Sequence, residues 1–146
     1  MKDLIIITPD ETLSSDALEQ LSTFLFEHLE EYGDDKAAIE KAILYANSKG
    51  TPGGYLLESF EDGRLVSAAV INKTGMGGYI PENILVYVAT HKSHRGKGLG
   101  GELMRKITEI TQGDIALHVE PQNPAKRLYE KFGFTNKYLE MRLIKK

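Results

Sequence analysis

The sequence predicts an α/β domain with a mixed β-sheet, and three observations lead to this fold class. Short β-branched runs alternate along the chain with stretches of helical apolar spacing. The pair Asp62–Gly63 separates two apolar runs, which indicates an antiparallel hairpin. A strand–helix–strand unit follows this hairpin and requires parallel strands, so the sheet contains both kinds of pairing.

The first half of the chain is predicted to form one strand, two helices and then a hairpin of two strands. Residues 4–7 form a short β-branched strand, and Ser14 or Ser15 begins a helix that ends at Gly33. Asp34 or Asp35 begins a second helix, which stops at the glycine- and proline-containing break over residues 50–54. Residues 55–60 and 65–71 are the two strands of the hairpin.

The second half predicts a loop and three further strands. Residues 74–81 carry three glycines and form a mobile loop, followed by a strand over 84–90 and a helix with apolar residues on one face. A strand at 115–119 precedes a helix that Asn123 and Pro124 open and Gly133 ends. Alternation over 138–144 predicts a last strand. The full order is β-α-α-β-β-β-α-β-α-β.

Composition limits the class of protein. The 146 residues fit one domain, here residues 1–146, and 41% hydrophobic with 27% charged residues is typical of a soluble globular chain. The absence of cysteine excludes disulfides, thiolate metal sites and a cysteine nucleophile. The apolar run 4–7 is too short for a signal peptide or a membrane span, so we expect a cytoplasmic protein without a membrane partner.

Charge is distributed unequally along the chain. Residues 1–73 carry 14 acidic and 6 basic side chains (net −8), whereas residues 74–146 carry 7 acidic and 12 basic ones (net +5). This asymmetry favours an anionic ligand in the second half, although two unequally solvated surfaces would also produce it. Nucleic acid is not the expected partner, because the basic residues lie in one loop without interleaved aromatics and the whole chain is acidic.

The most informative stretch is the basic, glycine-rich loop over residues 91–101, between a predicted strand and a helix. Glycines let the backbone approach a phosphate and direct N–H groups toward it, and the positive end of the following helix adds attraction. Arg95 and Lys97 can neutralise the charge, with Lys92 nearby. The loop therefore predicts an anion site.

Residues 96–101 also match G-x-G-x-x-G, the fingerprint of dinucleotide-binding folds. Five residues, 91–95, separate the predicted strand from the first glycine, Gly96, whereas the fingerprint expects almost none. An antiparallel hairpin precedes the unit, and only one further helix–strand pair follows it. These departures argue against nicotinamide or flavin binding.

The same loop resembles that of the GNAT (Gcn5-related) N-acetyltransferases, in which [QR]-x-x-G-x-[GA] binds the pyrophosphate of coenzyme A. Residues 95–100, RGKGLG, match this motif between the fourth strand and the third helix. Residues 123–134, NPAKRLYEKFGF, resemble the family's second segment, N-x-x-A-x-x-x-Y-x-x-x-G-F, from Ala125 onward, with the asparagine one position closer to the alanine. The element order agrees as well, so the resemblance covers nearly the whole chain and implies a GNAT-like acyl-CoA N-acyltransferase fold.

The resemblance implies cofactor-binding roles for ten residues. Main-chain groups of Val88 and Ala89 would pair with the pantetheine arm, and Asn123 would either contact that arm or cap its helix. The pyrophosphate would be held by the loop residues His94, Arg95, Gly96, Lys97, Gly98, Leu99 and Gly100.

The resemblance also implies two catalytic residues. Tyr129 matches the family tyrosine that protonates the departing thiolate, although its helical spacing with Ala125 and Phe132 also suits a core residue. Glu82 falls where some members place a general base, and otherwise is a solvated charge at a loop end. Glu58 and Glu120 are weaker candidates for the base. The histidine pairs lack the additional ligands that a metal site needs, so no metal is expected.

The resemblance thus predicts an N-acetyltransferase that transfers the acetyl group of acetyl-CoA directly to a primary amine of a small molecule or peptide. The two predicted N-terminal helices and the loop 74–81 would cover the acceptor site, and their acidic surplus suits a cationic amine. The alternative is a catalytically silent CoA-binding regulatory module. The sequence leaves the oligomeric state open, with a homodimer as one option.

Overall fold

The computed structural model describes residues 2–145 as a mixed five-stranded sheet with helices on both faces. The strands are β1 (Lys2–Ile7), β2 (Gly54–Glu61), β3 (Arg64–Lys73), β4 (Asn83–Thr90) and β5 (Ile115–Ala116). The helices are α1 (Ser15–Leu29), α2 (Lys36–Asn47), α3 (Leu99–Ile110) and α4 (Ala125–Lys131), with 3-10 turns at Glu30–Tyr32 and Lys92–His94. No helix within residues 2–145 is long and apolar enough to cross a bilayer.

The sheet follows the chain in order, β1-β2-β3-β4-β5. The first four strands pair antiparallel, and β5 pairs parallel to β4, which confirms the predicted mixed sheet. The β2–β3 turn places Asp62 at φ 52° and Gly63 at φ 79°. Two central residues with positive φ suit the right-handed twist of a hairpin, and this explains the Asp-Gly signal.

A bulge interrupts β4, the strand that leads into the glycine-rich loop 91–101. Val70 lies opposite Tyr87 and Ile71 opposite Leu85, so Val86 is the extra residue. A bulge bends its strand and increases the local twist. On the other side β4 pairs with β5 only through Asn83 and Ile84. From Leu85 onward the β5 side of β4 is therefore an open strand edge within the described residues.

Each face of the sheet buries its own apolar cluster. On one face α1 and α2 cover β2, β3 and β4; on the other α3 packs with residues of α4. The first cluster includes Leu21, Leu25, Ile39, Ile43, Leu56 and Val70, and the second includes Leu57, Ile71, Leu85, Leu103, Met104 and Ile107.

The structure resolves which residues cap the two N-terminal helices. The Ser14 hydroxyl accepts from the Ala17 N–H at 3.1 Å, and the Asp35 carboxylate accepts from the Ala38 N–H at 2.8 Å. Side-chain acceptors at these positions satisfy N–H groups that have no partner inside the helix. Asp34 is thereby left for a contact outside its own helix.

The prediction of a last strand over residues 138–144 is wrong. The last helix or strand within residues 2–145 is α4, and the side chains of Leu139, Met141 and Leu143 are 84%, 91% and 83% exposed. Alternating apolar residues make a strand only where a neighbouring strand supplies ladder hydrogen bonds. Here β5 ends at Ala116, three residues before the predicted end, and offers no ladder to this segment.

Candidate functional site

The glycine-rich loop has the backbone that an anion site needs. Gly96 and Gly98 adopt φ values of 79° and 82°, in the left-handed region that favours glycine. A β-carbon on either residue would meet nothing within 4 Å, so the surroundings are open. Gly98, which has no side chain, is the N-cap of α3, and among residues 2–145 no side-chain cap hydrogen bond is seen at this helix end. The first N–H groups of α3 are thus available to a ligand.

The start of α3 lies against α4. A β-carbon on Gly100 would be 3.1 Å from Cδ2 of Leu128, so a larger residue than glycine would press on that side chain. Leu99 is buried and fixes the first turn of α3 to the core. The predicted pyrophosphate loop is therefore adjacent to the residue that precedes Tyr129.

Tyr129 packs against the apolar cluster under α3, together with Val88, Leu128 and Phe134. Its ring lies 6.0 Å from that of Phe134 in an edge-on arrangement. Burial raises the pKa of the Tyr129 hydroxyl, so the group carries its proton at neutral pH. The fold thus brings Tyr129 and Val88, which are predicted to serve the same ligand, to one cluster.

Asn123 acts as a helix cap. Its side-chain oxygen accepts from the Ala125 N–H at 2.9 Å, at the first turn of α4. This contact corresponds to one of the two roles that the sequence leaves open for Asn123.

The two basic residues of the loop have different surroundings. A guanidinium nitrogen of Arg95 lies 2.8 Å from a carboxylate oxygen of Glu30, and another donates to the His28 carbonyl at 2.8 Å. Arg95 therefore attaches the loop to the end of α1, and its charge is already paired. Lys97 is exposed and can move toward an anion. His94 lies with Nε2 3.9 Å from Glu61 of the hairpin.

Glu82 lies at the opposite end of β4, separated from Ala89 by seven residues, or about 23 Å of strand. Its Oε1 accepts from the Asp114 N–H at 2.9 Å. Backbone hydrogen bonds, that from Asp114 first, lower the pKa of Glu82 and keep it ionised. The structure therefore brings Tyr129 and Val88 to one apolar cluster, and places Glu82 at the opposite end of β4 from Ala89.

Glu82 borders a cavity of about 630 Å³, whose lining includes Gly75 and Met76 of the loop 74–81. The β-carbon position of Gly77 in this loop lies 3.2 Å from Oε2 of Glu82. The sequence predicts that α1 and α2 share in covering the acceptor site, but neither helix lines this cavity. Its lining is Ile6, Thr8, Pro52, Tyr55, Lys73, Gly75, Met76, Glu82, Asn83, Ile110 and Gln112.

Sequence reasoning missed a polar contact next to the open edge of β4. The Tyr87 hydroxyl donates to the Asp34 carboxylate at 2.6 Å. Burial comes first, and the Asp34 hydrogen bond second, among the causes that raise the pKa of Tyr87. These residues are 53 positions apart. The sequence did carry one signal for this contact: α2 needs only one of Asp34 and Asp35 as its N-cap, so the other carboxylate is available to a distant partner.

Glu58 is a buried carboxyl on the sheet face that α1 and α2 cover. It is 6% exposed and lies between Ile5 of β1 and Ala68 of β3. Burial raises the pKa of Glu58 to about 7. A carboxyl with this pKa exchanges protons near neutral pH, a property that sequence position alone does not reveal.

Solved structures with this fold include several acetyltransferases. One is a GCN5-related N-acetyltransferase from Ralstonia eutropha JMP134 (15% identity, 99% of each chain covered, TM-score 0.68). A second is an aminoglycoside acetyltransferase from an uncultured soil metagenomic sample (18%, 100% of this chain and 99% of that one, 0.65). A third is a ribosomal-protein-alanine N-acetyltransferase from Brucella melitensis biovar Abortus 2308 (16%, 99% of each, 0.63). A comparison with curated proteins finds no match.

The family comparison agrees with the fold. The model of the acetyltransferase (GNAT) family matches residues 16–134, which span α1 to the end of the second motif. This match confirms the resemblance seen in the two sequence motifs, and it supports acyl transfer as the type of reaction. The chain belongs to the acetyltransferase (GNAT) family.

Proposed function

We propose that this protein is an N-acetyltransferase that transfers the acetyl group of acetyl-CoA directly to an amine. The observation that carries the proposal is the start of α3, where glycines with positive φ precede helical N–H groups that no side chain caps within residues 2–145. The loop that contains these glycines follows β4, whose edge beyond Ile84 has no β5 partner. A diphosphate with an extended amide-containing arm is a ligand that suits both features.

The residues present fit coenzyme A in two ways. The N–H groups over residues 96–100 can donate to pyrophosphate oxygens, and exposed Lys97 can add a positive charge. The free edge of β4 at Val88 and Ala89 can pair with the amides of the pantetheine arm, as a further strand would.

Tyr129 is proposed as the general acid. The amine nitrogen attacks the thioester carbonyl, the carbon–sulfur bond breaks, and the departing thiolate takes the Tyr129 proton. The raised pKa of Tyr129 suits this role because the hydroxyl is protonated in the resting enzyme. No covalent intermediate with the enzyme is involved.

Glu82 is proposed to accept the proton that the amine loses, with Oε2 as the reacting atom. Glu82 lines the cavity under the loop 74–81, and the Asp114 N–H holds its Oε1. Because its pKa is lowered, Glu82 is ionised at neutral pH but is a weak base. The carboxylate acts on an amine that binds in this cavity, directly or through one bridging water.

The proposed acceptor is a cationic primary amine. Two structural neighbours bear the names of enzymes that acetylate an aminoglycoside and a protein alanine, and both acceptors are amines. The acidic surplus of residues 1–73 favours an acceptor with more than one positive charge.

A panel of amines, assayed for release of free thiol from acetyl-CoA, tests the proposal. We expect release with at least one polyamine, aminoglycoside or lysine peptide, and binding of CoA but not of NAD. Stabilisation by CoA without thiol release from any amine would support the silent regulatory module instead. A protein that CoA does not stabilise has neither function.

A further inference from the structure

We propose that His28, in its neutral form, is the positioning residue of the cofactor loop and holds residues 92–95 against the end of α1. The inference rests on the proposed function, because it assumes that this loop binds CoA. It assigns a role in the site to a residue of the first helix, more than 60 positions from the loop in sequence.

His28 contacts both ends of the segment. Its Nδ1 accepts from the Lys92 N–H at 3.3 Å, and its main-chain carbonyl accepts from the Arg95 guanidinium at 2.8 Å. Glu30, two residues further along, holds the same guanidinium at 2.8 Å. The last turn of α1 and the 3-10 turn that follows it thus hold the loop immediately before Gly96.

The imidazole is packed among rings. His28 is 8% exposed, and its ring centroid lies 4.7 Å from that of Phe24 and 4.2 Å from that of His91. Burial and packing against these two rings leave the imidazole little freedom to turn. The acceptor atom for the Lys92 N–H is therefore held in place.

His91 has hydrogen-bond donors at both ring nitrogens. The Ser93 N–H lies 3.1 Å from Nδ1, and a guanidinium nitrogen of Arg64 lies 2.9 Å from Nε2. A neutral imidazole has one acceptor nitrogen, so His91 accepts from one of these two donors, and a doubly protonated imidazole has no acceptor. Protonation of His28 would therefore bring its Nδ1–H against the Lys92 N–H, and protonation of His91 would remove its one acceptor.

Charged groups from every neighbouring element act on this pair. For His28, burial first and then His91, Arg95 and Lys92 lower the pKa, against the carboxylate of Glu27. For His91, burial first lowers the pKa. The further charges that act on His91 are Arg64, His94 and Arg95, which lower it, and Glu27, which raises it. Both pKa values lie below that of a free histidine, so both rings are neutral at pH 7.5.

The pH dependence follows from the sign of these shifts. At high pH the rings are neutral and the loop is held. Below about pH 6.5 the state with a released loop binds protons more tightly, because the pKa of a free histidine is higher than that of either ring in the cluster. Protonation therefore favours release of the loop. We therefore expect the affinity for CoA to fall between pH 7.5 and 5.5.

The test compares three proteins: the wild type, His28→Asn and His28→Leu. Asparagine and leucine are close in volume, and neither titrates, but only asparagine offers an acceptor near the position of Nδ1. Calorimetry gives the dissociation constant for CoA at pH 7.5 and 5.5, and hydrogen exchange follows the amides of residues 92–98 without ligand. The 3′-phosphate of CoA and Glu58 titrate in the same range in all three proteins, so differences between them isolate His28.

At pH 7.5 we expect His28→Leu to bind CoA about fivefold more weakly, the value of one hydrogen bond, and to exchange its loop amides faster. His28→Asn should restore both properties and show a shallower pH dependence than the wild type. Wild-type affinity and exchange in His28→Leu, or equal losses in both variants, would overturn the proposal. If the wild type does not bind CoA, the proposed function fails, and exchange alone decides whether His28 positions the loop. If His28→Leu does not fold, His28→Asn against the wild type carries the test.

Discussion

Oε1 of Glu82 accepts a hydrogen bond from the main-chain N–H of Asp114 at 2.9 Å, and this contact joins the start of β4 to the turn between α3 and β5. The turn contains Gly113 at φ 90°, whose β-carbon position is 2.8 Å from the Glu82 carboxyl carbon. Only glycine fits there. Glu82 therefore has a structural role in addition to the catalytic role proposed for it.

The two roles of Glu82 are separable by substitution. Glu82→Ala leaves the exposed Asp114 N–H without its side-chain acceptor and should lower the free energy of unfolding. Glu82→Gln keeps an oxygen acceptor and should recover most of that loss. If Glu82 is the base, Gln cannot recover turnover. Urea unfolding and the rate of thiol release measure the two effects, with exposed Glu11→Gln as control. Full turnover in Glu82→Gln would leave only the structural role.

The buried carboxyl of Glu58 should make the free energy of unfolding depend on pH. Its pKa is about 7 in the folded protein, against 4.5 for a free glutamate, because burial favours the neutral form. The folded state thus binds the proton more tightly, and this stabilisation is present below pH 4.5 and lost as the pH rises through 7. Glu58→Gln removes the penalty and should stabilise the protein at pH 8 by up to about 3 kcal/mol relative to the wild type.

The control compares the wild type and Glu58→Gln at pH 5.5, where most of the difference in the free energy of unfolding should disappear. Urea unfolding at both pH values measures it. Glu11→Gln, at an exposed position, should show no such dependence. An equal difference at pH 5.5 and pH 8 would mean that the Glu58 carboxyl is not neutral in the fold.

Local signals were sufficient for most of the fold. Ser14 and Asp35 begin the helices that their side chains cap, and the Asp62–Gly63 turn joins the strands that flank it. These features depend on neighbours within a few residues. The strand over 138–144 failed for the opposite reason, because pairing depends on a distant partner that alternation does not supply.

The features of the candidate site likewise divide into local ones, which the sequence predicts, and tertiary ones, which it does not. The glycines at 96 and 98 were predictable, because their backbone geometry is a property of the loop itself. The pairing of Arg95 with Glu30, and that of Tyr87 with Asp34, was not, because each joins segments that only the tertiary fold brings together. The raised pKa of Glu58 likewise comes from burial under α1 and α2.

Gly98→Ala tests the loop against a matched control. Gly98 and Gly63 have φ values of 82° and 79°, and a β-carbon on either meets nothing within 4 Å. Alanine should therefore cost each site about the same, on the order of 1 kcal/mol of folding stability. Only Gly98→Ala should also weaken CoA binding, because the strained residue precedes the N–H groups of α3. Melting temperatures and calorimetry distinguish the two. Equal CoA affinity in both variants would remove Gly98 from the site.

Tyr129→Phe tests the general acid. The substitution removes the hydroxyl and keeps the ring that packs in the cluster with Val88 and Phe134, so the fold and the affinity for acetyl-CoA should change little. Turnover should fall by about 10²–10⁴-fold, the usual contribution of general acid–base catalysis. Steady-state kinetics at saturating acetyl-CoA measure kcat, with exposed Tyr138→Phe as control.

The pH dependence of kcat is a second test of the role of Tyr129. Since burial raises its pKa above 10, the acid form persists through the alkaline range, and kcat of the wild type should not fall between pH 8 and 9.5. Loss of kcat in Tyr129→Phe with an unchanged KM for acetyl-CoA assigns the hydroxyl to the transition state. Loss of affinity with an unchanged kcat would instead assign it to binding, and wild-type kinetics would leave Tyr129 as a core residue, because the ring alone would then account for its position.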